Sequence, residues 1–343
     1  MWRVVGQDKL LSILQNNIKK RNLPHALLIT GPPYVGKMTL ASDIAQALNC
    51  QAESPPCGEC ESCLKIRQNQ HADVQITSLE STVVEEDEKT RKEISIDDIR
   101  QIQRSASLPP FEGKHKVFII KDAELLSIEA ANCFLKTLEE PVTQLFFILV
   151  APNANLIPET VVSRCREIAL TPIAPPIIAE RLVSACGVDK DKAVLLSRLS
   201  KGCFEWALKA AEDAEFLAKH YETRDKVLEL ISAGIPERFD YAFSLSTKFG
   251  KERALVYDIL EEWICAWRDI LLVKTGLADT VVNIDALDNL QRLSDRVTVC
   301  DIRNAIQTIK ETKDKLSFNA NARLALEVMM LDIPVITEGI VKR

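Results

Sequence analysis

Residues 26–37 read Ala-Leu-Leu-Ile-Thr-Gly-Pro-Pro-Tyr-Val-Gly-Lys. The apolar run at 26–30 predicts a buried strand, and Gly31, Gly36 and Lys37 after it match the phosphate-binding loop pattern G-x4-G-K. In such a loop, backbone N–H groups and the lysine hold the phosphates of a nucleotide. The stretch therefore predicts a strand, loop and helix of a parallel α/β sheet, with ATP or ADP as the candidate ligand.

The residues that would hold Mg²⁺ beside such a nucleotide are absent. Met38 follows the loop lysine where a serine or threonine is expected, and Lys121 follows the apolar run 117–120 where an acid is expected. A thioether and an ammonium group are poor ligands for Mg²⁺, which prefers hard oxygen. We therefore expect no hydrolysis by the isolated chain. The alternative is that the chain is an ATPase in which water or a displaced acid replaces the missing Mg²⁺ ligands. Asp122 and Glu124 are the candidate acids.

Composition fits a soluble protein of two or three domains. The chain has 343 residues, of which 47% are hydrophobic and 27% charged. The apolar stretch 145–151 is too short to cross a bilayer, and residues 1–7 lack the apolar core of a signal peptide, so we expect a cytoplasmic protein without membrane contact. A net charge of −6 argues against strong independent binding to nucleic acid, so any DNA contact should depend on partners.

Four of the ten cysteines are clustered in the first fifth of the chain, at Cys50, Cys57, Cys60 and Cys63. Thiolates at this spacing can surround one Zn²⁺ ion in a closed tetrahedral structural site. Reduced, unligated cysteines and an iron–sulfur cluster are the alternatives. No lysine or arginine lies between the first and last of these cysteines, which disfavours a zinc ribbon that reads nucleic acid.

Apolar runs at 116–120 and 145–150 predict two further strands, and helical spacing separates them, so a parallel sheet covered on both faces is expected. The proline-rich stretch 171–176 predicts a linker. Beyond it, only helical patterns stand out. The predicted division is an α/β domain at residues 1–170 with the cysteine module at 50–63, a small helical domain at 171–213 and an all-α domain at 214–343.

Five further motifs stand out. They are Val-Gly-Gln at 5–7, Ile-Asp-Asp-Ile-Arg at 96–100, Asn-Cys-Phe-Leu-Lys-Thr-Leu-Glu-Glu-Pro at 132–141, Ser-Arg-Cys at 163–165 and, as a weaker match, Asn-Ala-Asn-Ala-Arg-Leu-Ala-Leu-Glu at 319–327. With these motifs, the phosphate loop and the cysteine module in this order, the chain resembles the delta-prime subunits of the bacterial DNA polymerase III clamp loader, which are AAA+ proteins. The resemblance implies that residues 171–213 form a lid domain and residues 214–343 a collar domain.

The resemblance implies that Arg164 is an arginine finger, which acts in trans on ATP bound by a neighbouring gamma or tau subunit. Ser163 and Cys165 would orient and pack its turn. A finger given in trans is worth about 10³ to 10⁵ in turnover. The alternative for Arg164 is a surface ion pair. The resemblance also implies that an ATP-hydrolysing relative has an arginine where this chain has Trp206.

The implied function is that of a noncatalytic subunit of a DNA-directed DNA polymerase holoenzyme. With the delta and gamma or tau subunits, it would help to place the sliding clamp on primed DNA, and its C-terminal helices would hold the ring. The runner-up functions are an ATP-hydrolysing subunit like gamma or tau, and a zinc-dependent nucleic-acid-binding module.

Overall fold

A computed structural model of the chain describes residues 1–79, 93–139, 144–318 and 320–336. These residues form two compact units. The first consists of residues 1–177 and 202–206, and the second of residues 178–201 and the described residues from 207 onward. The predicted boundaries at residues 170 and 213 stay a prediction. Positions 140, 141 and 319 of the family motifs lie outside the described residues.

The first unit is built on a five-stranded parallel sheet with the order β2-β3-β4-β1-β5. Its strands are β1 (Ala26–Thr30), β2 (Val74–Thr77), β3 (Lys116–Ile120), β4 (Leu145–Ala151) and β5 (Arg166–Ala169). The three predicted strands occupy the middle of the sheet, and the two that carry no clear apolar pattern occupy its edges. The predicted α/β class, followed by a helical region, is confirmed.

Six α-helices lie in the described residues up to position 162. They are α1 (Asp8–Lys19), α2 (Lys37–Asn49), α3 (Glu61–Arg67), α4 (Ile96–Ala106), α5 (Ile128–Glu139) and α6 (Glu159–Val162). Ser95 begins α4 with a capping box, in which its hydroxyl accepts from Asp98 N and the Asp98 carboxylate accepts from Ser95 N. Ser95 therefore fixes the start of this helix.

Successive side chains of a strand point to opposite faces of the sheet. Both faces of this sheet are buried, each by its own apolar cluster. On one face, Leu28 and Phe147 join the apolar cluster that includes residues of α4 and α5. On the other face, Leu27 and Ile148 join the cluster that includes residues of α1 and α2. Phe147 contacts the ring of Phe134 edge to face, with ring centres 5.0 Å apart. This double coverage explains why the central strands read as continuous apolar runs.

Helices continue through the rest of the chain. They are α7 (Pro175–Cys186), α8 (Lys190–Leu199), α9 (Phe204–Glu212), α10 (Ala214–Ser232), α11 (Ile235–Phe249), α12 (Arg253–Lys274), α13 (Leu287–Asp295), α14 (Val299–Ser317) and α15 (Ala322–Asp332). Trp263 and Trp267 on α12 are fully buried in the apolar core of the second unit. No helix in the described parts of the chain combines the length and apolar character that a bilayer crossing requires.

An arginine lies in the same core. Arg238 on α11 is completely buried, and within the described residues its guanidinium donates to backbone carbonyls. The acceptors include Leu230 O at 3.0 Å near the end of α10 and Ile333 O at 2.7 Å after α15, together with Ile231 O, Met330 O and Pro334 O. These carbonyls lie at or just beyond helix ends, where the regular helical hydrogen bonds run out. Arg238 thus joins the ends of two helices.

Candidate functional site

The phosphate loop has the predicted form of strand, loop and helix. Gly31 follows β1 with φ +145°, and its N–H donates to Pro152 O at 3.2 Å. A side chain at Gly31 would place its Cβ 2.6 Å from Leu170 O, so only glycine fits there. Gly36 has φ +106° and leads into α2, whose first residue is Lys37.

The loop lysine is folded back onto the loop. Lys37 Nζ donates to Gly31 O at 2.7 Å and to Pro32 O at 2.8 Å. Burial lowers the pKa of Lys37, while the negative charges of Glu124 and Glu205 oppose that shift. The ammonium group that would contact phosphates in a working loop is therefore engaged by carbonyl oxygens of its own chain.

The structure gives the two substituted metal positions other surroundings. Met38 packs against the apolar cluster that covers α2. Lys121 Nζ lies 3.9 Å from an Asp122 carboxylate oxygen, at the end of β3. Burial raises the pKa of nearby Glu124 to about 7, so this carboxyl group is protonated for part of the neutral range. A thioether in an apolar cluster and a lysine next to an acid do not form a magnesium site.

Sequence reasoning missed Glu205, which lies at the start of α9 and contacts the start of α2. Thr39 Oγ1 donates a hydrogen bond to the Glu205 carboxylate, and Glu205 N donates to Tyr34 O of the loop at 3.2 Å. Trp206, which stands where the resemblance implies an arginine in ATP-hydrolysing relatives, packs against the apolar cluster. No local pattern distinguishes Glu205 from other helix-surface acids, so the sequence carried no signal for this contact.

The Ser-Arg-Cys triplet forms the turn between α6 and β5. Arg164 Nε donates to Glu139 Oε1 at 2.8 Å, and its Nη1 donates to Thr160 O at 2.8 Å. Ser163 Oγ also donates to Thr160 O, at 3.1 Å. Cys165 is half-buried against the apolar cluster on the α5 side of the sheet, and burial raises its pKa to about 12. Cys165 thus packs the turn, while Arg164 stays near the surface with 32% of its side chain exposed.

The four clustered cysteines are brought together as predicted. Their sulfur atoms all lie within 4.8 Å of one another, and Cys57 Sγ is 3.9 Å from Cys63 Sγ. Four sulfurs around a tetrahedral zinc with Zn–S bonds near 2.3 Å would be about 3.8 Å apart. Cys50 and Cys63 are buried, and Cys57 and Cys60 are half-buried. The donor set and its spacing fit a structural zinc ion.

Backbone N–H groups already point at these sulfurs. Cys50 Sγ accepts from Ala52 N and Cys57 N at 3.4 Å each, and Cys57 Sγ accepts from Cys60 N at 3.3 Å. The N–H groups of Glu59 and Cys60 lower the pKa of the Cys57 thiol to about 6. Hydrogen bonds of this kind stabilise thiolates, the form that binds a metal.

Three separate clusters result. The first is the phosphate loop with Glu205, the second is the Ser-Arg-Cys turn with Glu139, and the third is the cysteine module. The hydrogen bonds described above join residues within each cluster. Arg164 and the loop lysine Lys37 therefore belong to different parts of the first unit, each with its own partners.

Comparison with known proteins gives a consistent family. The family model for "DNA polymerase III, delta subunit" matches residues 6–174, and the model for the C-terminal part of "DNA polymerase III, delta subunit" matches residues 219–334. The delta' subunit of DNA polymerase III from Bacillus subtilis is 26% identical, and the alignment covers 96% of this chain and 97% of that one.

Tau subunits match as well. DNA polymerase III subunit tau from Bacillus subtilis is 27% identical over 96% of this chain and 60% of its own length. The tau subunit from Escherichia coli is 25% identical over 96% of this chain and 52% of its own length. This chain thus spans between half and two thirds of those tau subunits.

Among solved structures, a gamma subunit-related protein of DNA polymerase III from Thermotoga maritima covers 94% of the chain at 16% identity, with a TM-score of 0.42. A likeness of this size carries no conclusion about function. The family assignment rests on the two family models and on the match to a delta' subunit over nearly the full length of both chains. The chain belongs to the DNA polymerase III delta-subunit family, as a clamp-loader subunit of the delta', tau and gamma group.

Proposed function

We propose that this chain is a delta-prime-type subunit that does not hydrolyse ATP itself and completes the ATP site of a neighbouring gamma or tau subunit with Arg164. The observation that carries the proposal is an asymmetry within one domain. The metal positions hold Met38, which packs against an apolar cluster, and Lys121, which lies beside Asp122. The donor residue, Arg164, is present and partly exposed.

The chemistry of Arg164 suits this role. A guanidinium is planar and permanently charged, and it stabilises the negative charge that develops on phosphoryl oxygens during transfer. Thr160 O fixes one edge of the group at 2.8 Å, and Glu139 shares the other edge in an exposed ion pair. Exposed ion pairs contribute only about 0–1 kcal/mol, so the group can change partner at small cost when a neighbour's phosphate approaches.

The cysteine module would hold one structural zinc ion through Cys50, Cys57, Cys60 and Cys63. A closed site of four thiolates leaves no open position for substrate, so the metal would stabilise the fold around it. The module carries no lysine or arginine between its first and last cysteines, which is a reason to expect a protein neighbour and not DNA.

The helical second unit would join the subunits of the ring. The outward side of α11 and α15 carries four exposed apolar side chains, Phe243, Leu324, Val328 and Leu331. The last three recur at helical spacing, as in a helix that packs against a partner. The occupant we propose is the corresponding helical domain of a neighbouring gamma, tau or delta subunit.

The assembled loader would act in the cytoplasm, and its other partners would be the sliding clamp, reached mainly through delta, and primed DNA. The formal net charge of −6 favours DNA contact only within the assembly. Within the assembly the chain would be part of the DNA polymerase III holoenzyme.

The test is the ATPase of a loader reconstituted from delta, gamma or tau and this chain, with Mg²⁺, clamp and primed DNA. Arg164→Ala should lower turnover at least tenfold at the ATP site that the finger serves, and assembly should be unchanged, because the side chain is partly exposed. Arg164→Lys should recover little, since an ammonium lacks the planar fork. Arg166→Ala, an exposed arginine on β5, is the matched control.

Two results would contradict the proposal. Unchanged turnover with Arg164→Ala in a fully assembled loader would remove the finger role. Mg²⁺-dependent hydrolysis by the isolated chain, abolished by Lys37→Ala, would instead reassign the chain as an ATP-hydrolysing subunit.

A further inference from the structure

The phosphate loop is closed by groups of its own chain. Both carbonyls that accept from Lys37 Nζ, those of Gly31 and Pro32, belong to the loop. Glu205, at the start of α9, donates its backbone N–H to Tyr34 O and receives the hydroxyl hydrogen of Thr39 on its carboxylate. Glu205 is thus tied both to the loop and to the first turn of α2.

The Glu205 carboxylate lies near the N-terminal end of α2. The first turn of a helix carries unpaired N–H groups and a partial positive charge, which attract phosphate oxygens. A methyl group at Gly36, the residue before α2, would lie 3.8 Å from Glu205 Oε1. The Glu205 carboxylate also places negative charge near Lys37. Burial lowers the pKa of Lys37, and Glu205 is among the groups that oppose this shift.

We propose that Glu205 is an internal substitute for phosphate and excludes nucleoside di- and triphosphates from the loop. The carboxylate uses the Thr39 hydroxyl and the positive end of α2, so an incoming phosphate meets a negative charge and occupied donors. Glu205 is therefore a specificity-determining residue, which keeps a loop of intact glycines and lysine empty of nucleotide.

This inference goes beyond the proposed function, because it does not depend on Arg164. A loader could need the finger whether or not this chain binds ADP. Conversely, the loop could be closed in a chain that provides no finger. Failure of one proposal therefore leaves the other standing, and the two are measured with different proteins, the isolated chain here and the assembled loader above.

The experiment is calorimetric titration of the full-length chain with ADP, and separately with inorganic pyrophosphate, without Mg²⁺. The wild-type protein should show no saturable binding at millimolar ligand. Glu205→Gln keeps the shape and removes the charge, and we expect it to bind both ligands at least tenfold more tightly than the wild type. Adding Lys37→Ala to that variant should abolish the gain. Glu212→Gln, an exposed acid on the same helix, should behave as the wild type.

Equal binding of ADP by the wild type and Glu205→Gln, or no binding by either while both melt at the same temperature, would overturn the proposal. Hydrogen exchange of the wild-type protein gives a second reading that needs no variant. Added ADP should leave the exchange of amides 31–40 unchanged. Slower exchange of these amides at millimolar ADP would by itself show an open loop and refute the role of Glu205.

Discussion

Arg164 and Glu139 form an ion pair that joins the Ser-Arg-Cys turn to the last residue of α5. Arg164 Nε donates to Glu139 Oε1 at 2.8 Å, and Nη2 contacts the same oxygen. The side chains are 32% and 50% exposed. Water competes for both groups at this exposure, so the pair positions the guanidinium without fixing it strongly.

Glu139→Gln should therefore change the ATPase of an assembled loader only slightly. We expect turnover to rise by a factor of about two to five, since releasing an exposed pair is worth up to about 1 kcal/mol. The measurement is a double-mutant cycle with Arg164→Ala, in which the effect of Glu139→Gln should vanish. A loss as large as that of Arg164→Ala would mean that Glu139 holds the finger in its active position.

Removal of zinc should destabilise the first unit. The four thiols are within 4.8 Å of one another, and a structural zinc site contributes several kcal/mol of folding free energy. Purified protein should contain one zinc per chain, and chelation or Cys63→Ser should lower the melting temperature by about 5–10 °C. Cys300→Ser, at an exposed cysteine of α14, is the control and should retain both zinc and melting temperature. Full stability after complete loss of metal would contradict a structural role.

Loss of the buried arginine should destabilise the second unit. Arg238 is 0% exposed and satisfies carbonyl oxygens at the ends of α10 and α15. Arg238→Met keeps apolar volume but removes five hydrogen bonds from the buried guanidinium to backbone carbonyls, at a cost on the order of 3 kcal/mol or more. Urea unfolding of the full-length chain, followed by tryptophan fluorescence, measures this through the buried Trp263 and Trp267. Arg303→Met, at an exposed site of α14, should have no effect, and an equal loss there would exclude the carbonyl explanation.

Stability should depend on pH through Glu124. Burial raises its pKa to about 7 in the folded protein, above the usual value of 4.5. The folded state therefore binds a proton that the unfolded state has lost between those two values, and stability falls as pH rises from about 4.5 to about 7. Glu124→Gln removes this loss.

We expect Glu124→Gln to be nearly neutral at pH 4.5 and to stabilise the protein at pH 8 by on the order of 1–2 kcal/mol, less than the full shift because the side chain is only half-buried. Calorimetric melting at the two pH values is the measurement, with Glu180→Gln, an exposed acid on α7, as control. A stabilisation that is the same at both pH values would show that ionisation of Glu124 is not its cause.

The sequence by itself determined the centre of the sheet, the phosphate loop and the cysteine module. The strands β1, β3 and β4 are covered on both faces, and so each is a continuous apolar run that stands out without structural knowledge. The four cysteines lie within 14 positions of one another along the chain, so their meeting needs only a local turn. The helix start at Ser95 is likewise a local matter, since its capping box spans one turn.

Only the tertiary structure decided the edge strands and the long-range polar contacts. In β5 a single residue, Ile168, is buried, and in β2 only Val74 is, so neither strand has an apolar pattern and each is fixed by pairing with its neighbour. Glu205 reaches Thr39 across 166 positions of sequence, and Glu139 reaches Arg164 across 25. A local pattern reports how deeply an element is buried. Which polar side chains then meet is set by the order of the strands and the path of the chain between them, because partners so far apart leave no periodic trace in either segment.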